Sequence, residues 1–103
     1  MDDIIKKFVS LDGLSDIHLR SNKPVSTRIN GEIVQQDITT SQNQVDNMIK
    51  KLLDTRKKEI YEKQKDVDLA FVSNGIRFRA NIFHTSNGPA IVLRKITETI
   101  LAI

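Results

Sequence analysis

Between residues 75 and 83 the sequence alternates strictly between apolar and polar side chains. The apolar set is Ile76, Phe78, Ala80 and Ile82, and the polar set is Arg77, Arg79 and Asn81. Because successive side chains of a strand point to opposite faces, this period of two predicts a half-buried strand. Arginine carries a rigid fork of donors that suits phosphate and carboxylate groups. The stretch therefore predicts a strand whose outer face can hold an anion.

Turn signals and helical spacing divide the rest of the chain into further elements. Asn30-Gly31 predicts a two-residue hairpin, because both positions tolerate positive φ. Thr40 or Ser41 is predicted to cap a helix that buries Met48. The predicted strands are 16–20, 25–29, 32–36, 66–71, 75–83 and 89–95, and the predicted helices cover 3–11, the stretch from that cap to Leu53, and 55–65. This order predicts an α+β domain, with an antiparallel sheet of about six strands and two to three helices on one face.

Length and composition exclude several classes of protein. The chain has 103 residues, which is enough for one small domain. It has no cysteine, which excludes a disulfide framework and a cysteine-based metal site. It contains no phosphate-binding loop and no recognisable hydrolase motif. It also has no apolar run long enough to span a membrane and no signal-peptide pattern, so we expect a cytosolic protein.

The arginines are distributed unevenly along the chain. The net charge is only +3, but five of the six arginines fall in predicted strands: Arg20, Arg28, Arg77, Arg79 and Arg94. A face built from them could clamp a nucleotide phosphate, grip an acidic partner or lie along a nucleic-acid backbone. Nucleic acid is the weakest of these alternatives, because the face lacks aromatic side chains on which bases could stack. A plain solvated surface is the fourth alternative.

The two histidines, His18 and His84, lie on different predicted strands. His18 follows Asp16 by two residues, so the two side chains share a face and could contribute to a metal site. Most metal sites need three or four ligands, and Asp-x-His supplies two. A hydrogen-bonded surface histidine is therefore the favoured interpretation, and no metal site is predicted.

Four segments of the sequence resemble, in order, motifs of the secretion and type IV pilus ATPases. Residues 14–19, Leu-Ser-Asp-Ile-His-Leu, resemble that family's Ala-Ser-Asp-[Ile/Leu]-His opening, and Pro24-x3-Arg28-x2-Gly31 is similar to its next hairpin. Residues 66–71 followed by 75–81 resemble the Thr-Asp-Phe-Ser-Phe and Arg-Phe-Arg-Val-Asn stretches of the PilT type. Residues 93–96, Leu-Arg-Lys-Ile, resemble the Arg-x-Ile that leads into the family's linker. The resemblance covers essentially the whole chain.

The resemblance implies a domain of a larger machine. Members of the family are hexameric RecA-like ATPases, in which a PAS-like N-terminal domain and a C-terminal motor domain enclose ATP and Mg²⁺. By this resemblance, 1–95 is the PAS-like domain, and 96–103 begins the linker to a motor domain that this chain does not contain. No enzymatic activity is expected of the chain alone, whereas the parent protein is expected to be an ATPase.

The resemblance also implies roles for individual residues and partners. Arg77, Arg79 and Arg94, and by a looser match Arg28, are expected to contact the nucleotide phosphates. Asp16 and His18 are expected to support the sheet or an interface, and no catalytic residue is expected. The implied partners are the motor domain, neighbouring subunits of a homohexamer and the inner-membrane machinery, without nucleic acid. The implied location is cytoplasmic, at the inner face of the cytoplasmic membrane.

Two alternative hypotheses about the function remain at this point. The parent could be a pilus-assembly or type II secretion ATPase instead of a motor for pilus retraction and twitching motility. Alternatively, the chain could be a stand-alone PAS-like module that binds a ligand or a protein.

Overall fold

A computed structural model of the chain describes residues 2–9, 11–73 and 75–96. Within these residues the predicted order of one helix, three strands, two helices and three strands is confirmed. The helices are α1 (Asp2–Val9), α2 (Gln42–Leu52) and α3 (Thr55–Gln64). The strands are β1 (Leu14–Arg20), β2 (Lys23–Ile29), β3 (Glu32–Thr40), β4 (Asp66–Ser73), β5 (Ile76–Thr85) and β6 (Gly88–Lys95).

All six strands form one antiparallel sheet in the order β3-β2-β1-β6-β5-β4. Each half of the chain contributes three consecutive strands, and β1 and β6 join the two halves at the centre of the sheet. The predicted α+β class and antiparallel sheet are confirmed. Strands from the two ends of the sequence are thus direct neighbours.

The hydrophobic core lies between the sheet and the helices. On the central strands, Ile17 of β1 pairs with Leu93 of β6, and Leu93 pairs in turn with Ala80 of β5. Phe78, fully buried, stacks on Phe71 of β4 with a ring-centroid distance of 5.6 Å. The helices complete the core with the buried side chains Ile5, Phe8, Val45, Met48 and Ile49. The apolar face predicted for residues 75–83 is therefore the core face.

The third strand is longer than predicted. It was expected to end at residue 36, but it continues to Thr40, because the β-branched residues 38–40 extend the strand pattern. Thr40 is fully buried, and its hydroxyl donates to the backbone carbonyl of Arg20 at 2.9 Å. Ser41, the other predicted cap, is the N-cap of α2 and forms a capping box with Gln44.

The charged helix α3 is attached to the sheet by few apolar contacts. Its N-cap is Asp54, whose carboxylate accepts from the Lys57 backbone N–H at 2.8 Å. Ile60 and Tyr61, the predicted apolar contacts, are partly buried against the core. The hydroxyl of Tyr61 lies 3.4 Å from Nδ1 of His84 on β5. This contact links the helix to the strand that carries Arg77 and Arg79.

The predicted linker, 96–103, lies outside the described residues except for Ile96. The backbone N–H of Ile96 donates to the carbonyl of Arg77 at 2.9 Å, which extends the pairing of β6 with β5 by one residue. The linker assignment stays a prediction. None of the described helices has the length and apolar character needed to cross a membrane.

Candidate functional site

The sheet face opposite the helices, here called the outer face, carries the strand arginines. Strand register places four charged side chains side by side across four strands: Arg28 of β2 opposite Asp16 of β1, Asp16 opposite Arg94 of β6, and Arg94 opposite Arg79 of β5. We call these four residues the arginine row. Three of the four arginines predicted from the sequence as phosphate contacts therefore lie in one line.

Asp16 lies at the second position of the row and is almost buried, with 9% of its side chain exposed. Its Oδ2 is 3.3 Å from Nε of Arg28, and its Oδ1 is 3.3 Å from Nε of Arg94. The Ser15 hydroxyl adds a donor at 3.4 Å from Oδ2. A buried carboxylate needs such compensation, because loss of water disfavours its charge. One negative charge thus meets two positive charges here.

The two arginines that contact Asp16 keep most of their donors for other groups. A guanidinium has five N–H donors, and each arginine uses its Nε–H towards Asp16. Nη1 of Arg28 also donates to the carbonyl of Gly31 at 3.3 Å. The side chain of Arg28 is 44% exposed and that of Arg94 is 73% exposed. Both can therefore reach an anion from solution or from another protein.

Arg79 ends the row next to Arg94. Like charges directly opposite each other on neighbouring strands are destabilising, so an anion bound between Arg79 and Arg94 would stabilise the pair. The two arginines line a small open depression of about 210 Å³ together with Asp68, Asn81 and Val92. Arg77, two residues before Arg79 on the same strand, shares the outer face and is exposed. It lies opposite Val72 and outside the row.

A larger open depression of about 510 Å³ lies over the other part of the row. Its lining residues are Ser15, Asp16, His18, Arg28, Val92, Arg94 and Lys95. The three cations outnumber the single carboxylate, so the surface attracts anions. The size and charge suit a phosphate chain better than an apolar ligand.

His18 lies beside the row, on the strand that carries Asp16. Burial lowers its pKa below the ordinary 6.5, Asp16 opposes that shift, and Arg20 and Arg28 add to it. The imidazole is therefore mainly neutral near pH 7. Arg20 is directed to β2, where its Nη2 donates to the Ser26 hydroxyl at 3.1 Å and lies 3.4 Å from the Pro24 carbonyl. These contacts separate Arg20 from the arginine row.

The Asp-x-His pattern places Asp16 and His18 on one face, as the sequence indicated. Among the residues that the structure describes, no three His, Cys, Asp or Glu side chains come together in a way that could hold a metal ion. The carboxylate of Asp16 is instead turned to Arg28 and Arg94.

Sequence reasoning missed the pairing of Asp16 with two arginines. Asp16 was predicted to support the sheet or an interface. Its partners were not predictable, because the pairing of β6 with β1 is not encoded in the local sequence of either strand. The outward position of Asp16 on an alternating strand was the only available signal. The roles assigned to Arg28, Arg77, Arg79 and Arg94 stay predictions.

A third depression, of about 470 Å³, lies on the other side of the molecule between α2 and α3. Its apolar part comes from Ile49, Leu53 and Tyr61. Side chains of both signs surround it: Asp46, Lys50, Asp54, Lys58 and Glu62. This groove lacks the excess of positive charge that distinguishes the outer face.

Comparison with known proteins identifies two curated relatives. The chain is 33% identical over 78 residues to a twitching motility protein of Neisseria gonorrhoeae, an alignment covering 74% of the chain and 21% of that relative. It is 27% identical over 96 residues to the type IV pilus retraction ATPase PilT of Pseudomonas aeruginosa, covering 91% of the chain and 28% of that relative. No protein-family model matches the chain.

Solved structures of similar fold include a protein of the same name as one of these relatives. A crystal structure of the pilus retraction motor PilT with bound ADP matches 97% of the chain with a TM-score of 0.84 and 30% identity. The ATPase DotB of Legionella pneumophila matches 94% of the chain with a TM-score of 0.73, and its 22% identity shows a shared fold. The chain spans 30% and 28% of those two chains. It thus corresponds to under a third of each relative's length.

Proposed function

We propose that this chain, which resembles the PilT-type ATPases in sequence and in fold, is the N-terminal domain of an ATP-driven motor for pilus retraction. Its task in that motor is to bring the arginine row to the nucleotide cleft. The observation that carries the proposal is the register that places Arg28, Arg94 and Arg79 in one exposed line. The similar retraction motor binds a nucleotide, and its phosphates are the anion that we expect these arginines to contact.

The chemistry of phosphoryl transfer supports this assignment. Negative charge on the transferred phosphoryl group must be compensated, and fixed arginines supply that compensation at no cost of reorganisation. The arginines of the row stand on three strands of one sheet, which fixes the spacing of their backbone positions. The sequence contains no phosphate-binding loop, so ATP and Mg²⁺ would be held by a motor domain outside this chain. Bound there, the nucleotide supplies the phosphates that the row would contact.

The remaining features of the motor are part of the same proposal. We expect a PAS-like domain in a homohexamer, with the motor domain and neighbouring subunits as its direct partners. We expect the assembly in the cytoplasm, at the inner face of the cytoplasmic membrane and in contact with the pilus machinery. Retraction is preferred to pilus assembly or secretion, because the names of the similar proteins refer to twitching motility and pilus retraction.

The test compares the 103-residue chain with the product of the full gene. The coding sequence downstream of Ile103 is expected to contain a Walker A motif. Purified full-length protein is expected to hydrolyse ATP, and the 103-residue chain is expected to show no turnover. A stop codon directly after Ile103, or turnover by the short chain alone, would overturn the proposal.

A second candidate function is a stand-alone PAS-like binding module. The groove between α2 and α3, with its apolar part from Ile49, Leu53 and Tyr61, favours this alternative. Saturable binding of an apolar small molecule by the 103-residue chain, abolished by Leu53→Asp, would support it. A matched Arg79→Asp variant on the outer face should leave such binding unchanged.

A further inference from the structure

The arginine row contains a carboxylate where a phosphate-binding surface would be expected to have only cations. Asp16 interrupts the row between Arg28 and Arg94 and takes part in ion pairs with both. A carboxylate in this place can act in two opposite ways. It can compete with an incoming anion for the guanidinium groups, or it can hold those groups where an anion will meet them.

The geometry of the contacts distinguishes these two roles. Each arginine approaches Asp16 with Nε at 3.3 Å, and Nε of Arg94 also donates a hydrogen bond to Oδ1 of Asp16. A competitor for phosphate would be expected to engage two nitrogens of one guanidinium at once, in a forked, two-bond arrangement. In the described part of the chain, no residue accepts a hydrogen bond from the terminal nitrogens of Arg94, and of the terminal nitrogens of Arg28 only Nη1 is engaged, by the Gly31 carbonyl. The donors best suited to a phosphate are therefore the ones that Asp16 does not use.

Burial also argues against competition. The carboxylate of Asp16 is almost enclosed and accepts an additional bond from Ser15. An anion from solution meets the exposed ends of Arg28 and Arg94 before it meets Asp16. Displacing the carboxylate would leave a charge without partners at a poorly hydrated position, which is unfavourable. Asp16 is thus placed to stay in position while an anion binds above it.

We propose that Asp16 is a positioning residue of the arginine row, which fixes Arg28 and Arg94 through their Nε–H groups so that Nη2 of Arg28 and the terminal nitrogens of Arg94 face one phosphate together. This inference rests on the proposed function, because it takes the phosphate to be that of the nucleotide. Long side chains lose rotamer freedom when they bind, and a side chain already held in place loses less. Asp16 would therefore favour phosphate binding although its own charge is negative.

The first experiment uses the 103-residue chain and needs no nucleotide. Arginine Nε–H resonances are recorded by NMR, together with their exchange with water. The Nε–H groups of Arg28 and Arg94 are expected to exchange about three- to fivefold more slowly than that of Arg56, which is exposed on α3. Equal exchange at all three arginines in the unmodified chain would overturn the proposal, whether or not any variant folds.

The second experiment uses the full-length protein and the variant Asp16→Asn. The amide keeps the shape of the side chain but removes the charge that binds both arginines. ATP turnover is expected to fall about tenfold, since misplaced groups lose transition-state stabilisation. In an Arg28→Ala/Arg94→Ala background the same change is expected to have no further effect. Asp37→Asn, an exposed carboxylate on β3, is the matched control for the loss of charge.

The outcomes separate this inference from the function on which it rests. Tighter binding or faster turnover in Asp16→Asn would mean that Asp16 competes with phosphate, and unchanged turnover at a lowered melting temperature would mean that it only supports the sheet. Either result overturns the positioning role. If Arg79→Ala and Arg94→Ala both leave turnover unchanged, the proposed function of the row fails instead. In that case the exchange data on the short chain still report whether Asp16 holds the arginines.

Discussion

Asp16 and Arg94 face each other across β1 and β6, with Oδ1 and Nε 3.3 Å apart, although 78 residues separate them in the sequence. The contact lies at the junction of the two three-stranded halves of the sheet. It therefore combines a structural link with the candidate phosphate-binding surface. Its contribution to stability and its contribution to function can be measured separately.

The ion pair is expected to contribute little to stability. The Arg94 side chain is 73% exposed, and exposed ion pairs are typically worth under about 1 kcal/mol. Arg94→Ala should lower the free energy of unfolding by no more than about 1 kcal/mol in urea, with Arg56→Ala of α3 as the control. A loss of several kcal/mol would mean that Arg94 is chiefly a structural residue.

Arg79 is expected to matter for turnover and not for folding. It is exposed at the end of the row, next to Arg94. In the full-length protein, Arg79→Ala should lower ATP turnover about tenfold or more, because a cation near the transferred phosphoryl group is lost. Arg56→Ala should retain the turnover of the unmodified protein. If Arg79→Ala retains it too, while its melting temperature is unchanged, the outer face serves a purpose other than nucleotide contact.

His18 is expected to make stability depend on pH. Burial lowers the pKa of His18 in the folded chain, with Arg20 and Arg28 acting in the same direction and Asp16 opposing them. The unfolded chain, with a histidine pKa near 6.5, therefore binds more protons than the folded chain at and just below that pH. Stability should be complete well above pH 6.5 and should decrease as pH falls through that value towards the lower folded pKa.

Two variants test this assignment, because the chain has only two histidines. Urea unfolding is followed between about pH 8 and pH 5.5, a range in which ordinary carboxyl groups titrate little. His18→Gln should flatten the decrease of the unfolding free energy on acidification. His84→Gln, in which the contact with Tyr61 is altered, should preserve the part due to His18. Identical pH profiles for His18→Gln and the unmodified chain would refute the assignment.

The core face of β5 is expected to dominate stability. Phe78 is fully buried and stacks on Phe71. Phe78→Ala should cost about 3–5 kcal/mol, through lost apolar burial and the cavity left behind. Val72→Ala, at a position 65% exposed on β4, should cost under about 0.5 kcal/mol. Similar costs for the two variants in urea unfolding would contradict the assignment of faces. If Phe78→Ala does not fold, Phe78→Leu provides a milder form of the same comparison.

Local patterns in the sequence were sufficient to predict the elements and the two faces of the sheet. The alternation at 75–83 predicts which side of β5 is buried, and Asn30-Gly31 predicts the hairpin between β2 and β3, because both depend on neighbouring residues alone. The end of β3 was placed too early, since a strand at the edge of a sheet is partly exposed on both faces and its alternation is weak. Strand boundaries are thus less predictable than strand faces.

The arrangement of the candidate site was not predictable from the residues alone. Asp16 and Arg94 come together only because β1 and β6 are neighbours, and that pairing depends on the global topology. The sequence indicated several arginines on outer faces, but the order of strands decides that Arg28, Arg94 and Arg79 share one row while Arg77 does not. Nor does alternation indicate that the outward carboxylate of Asp16 becomes buried between two guanidinium groups.

The proposed contact between the arginine row and nucleotide phosphates can be observed in a structure. The most direct measurement is an experimental structure of the full-length protein with Mg²⁺ and a non-hydrolysable ATP analogue. We expect a guanidinium nitrogen of Arg79 or Arg94 within about 3.2 Å of a phosphate oxygen, with Asp16 still in contact with Arg94. A structure in which nucleotide is bound, but no arginine of the row contacts its phosphates, would contradict the proposed function.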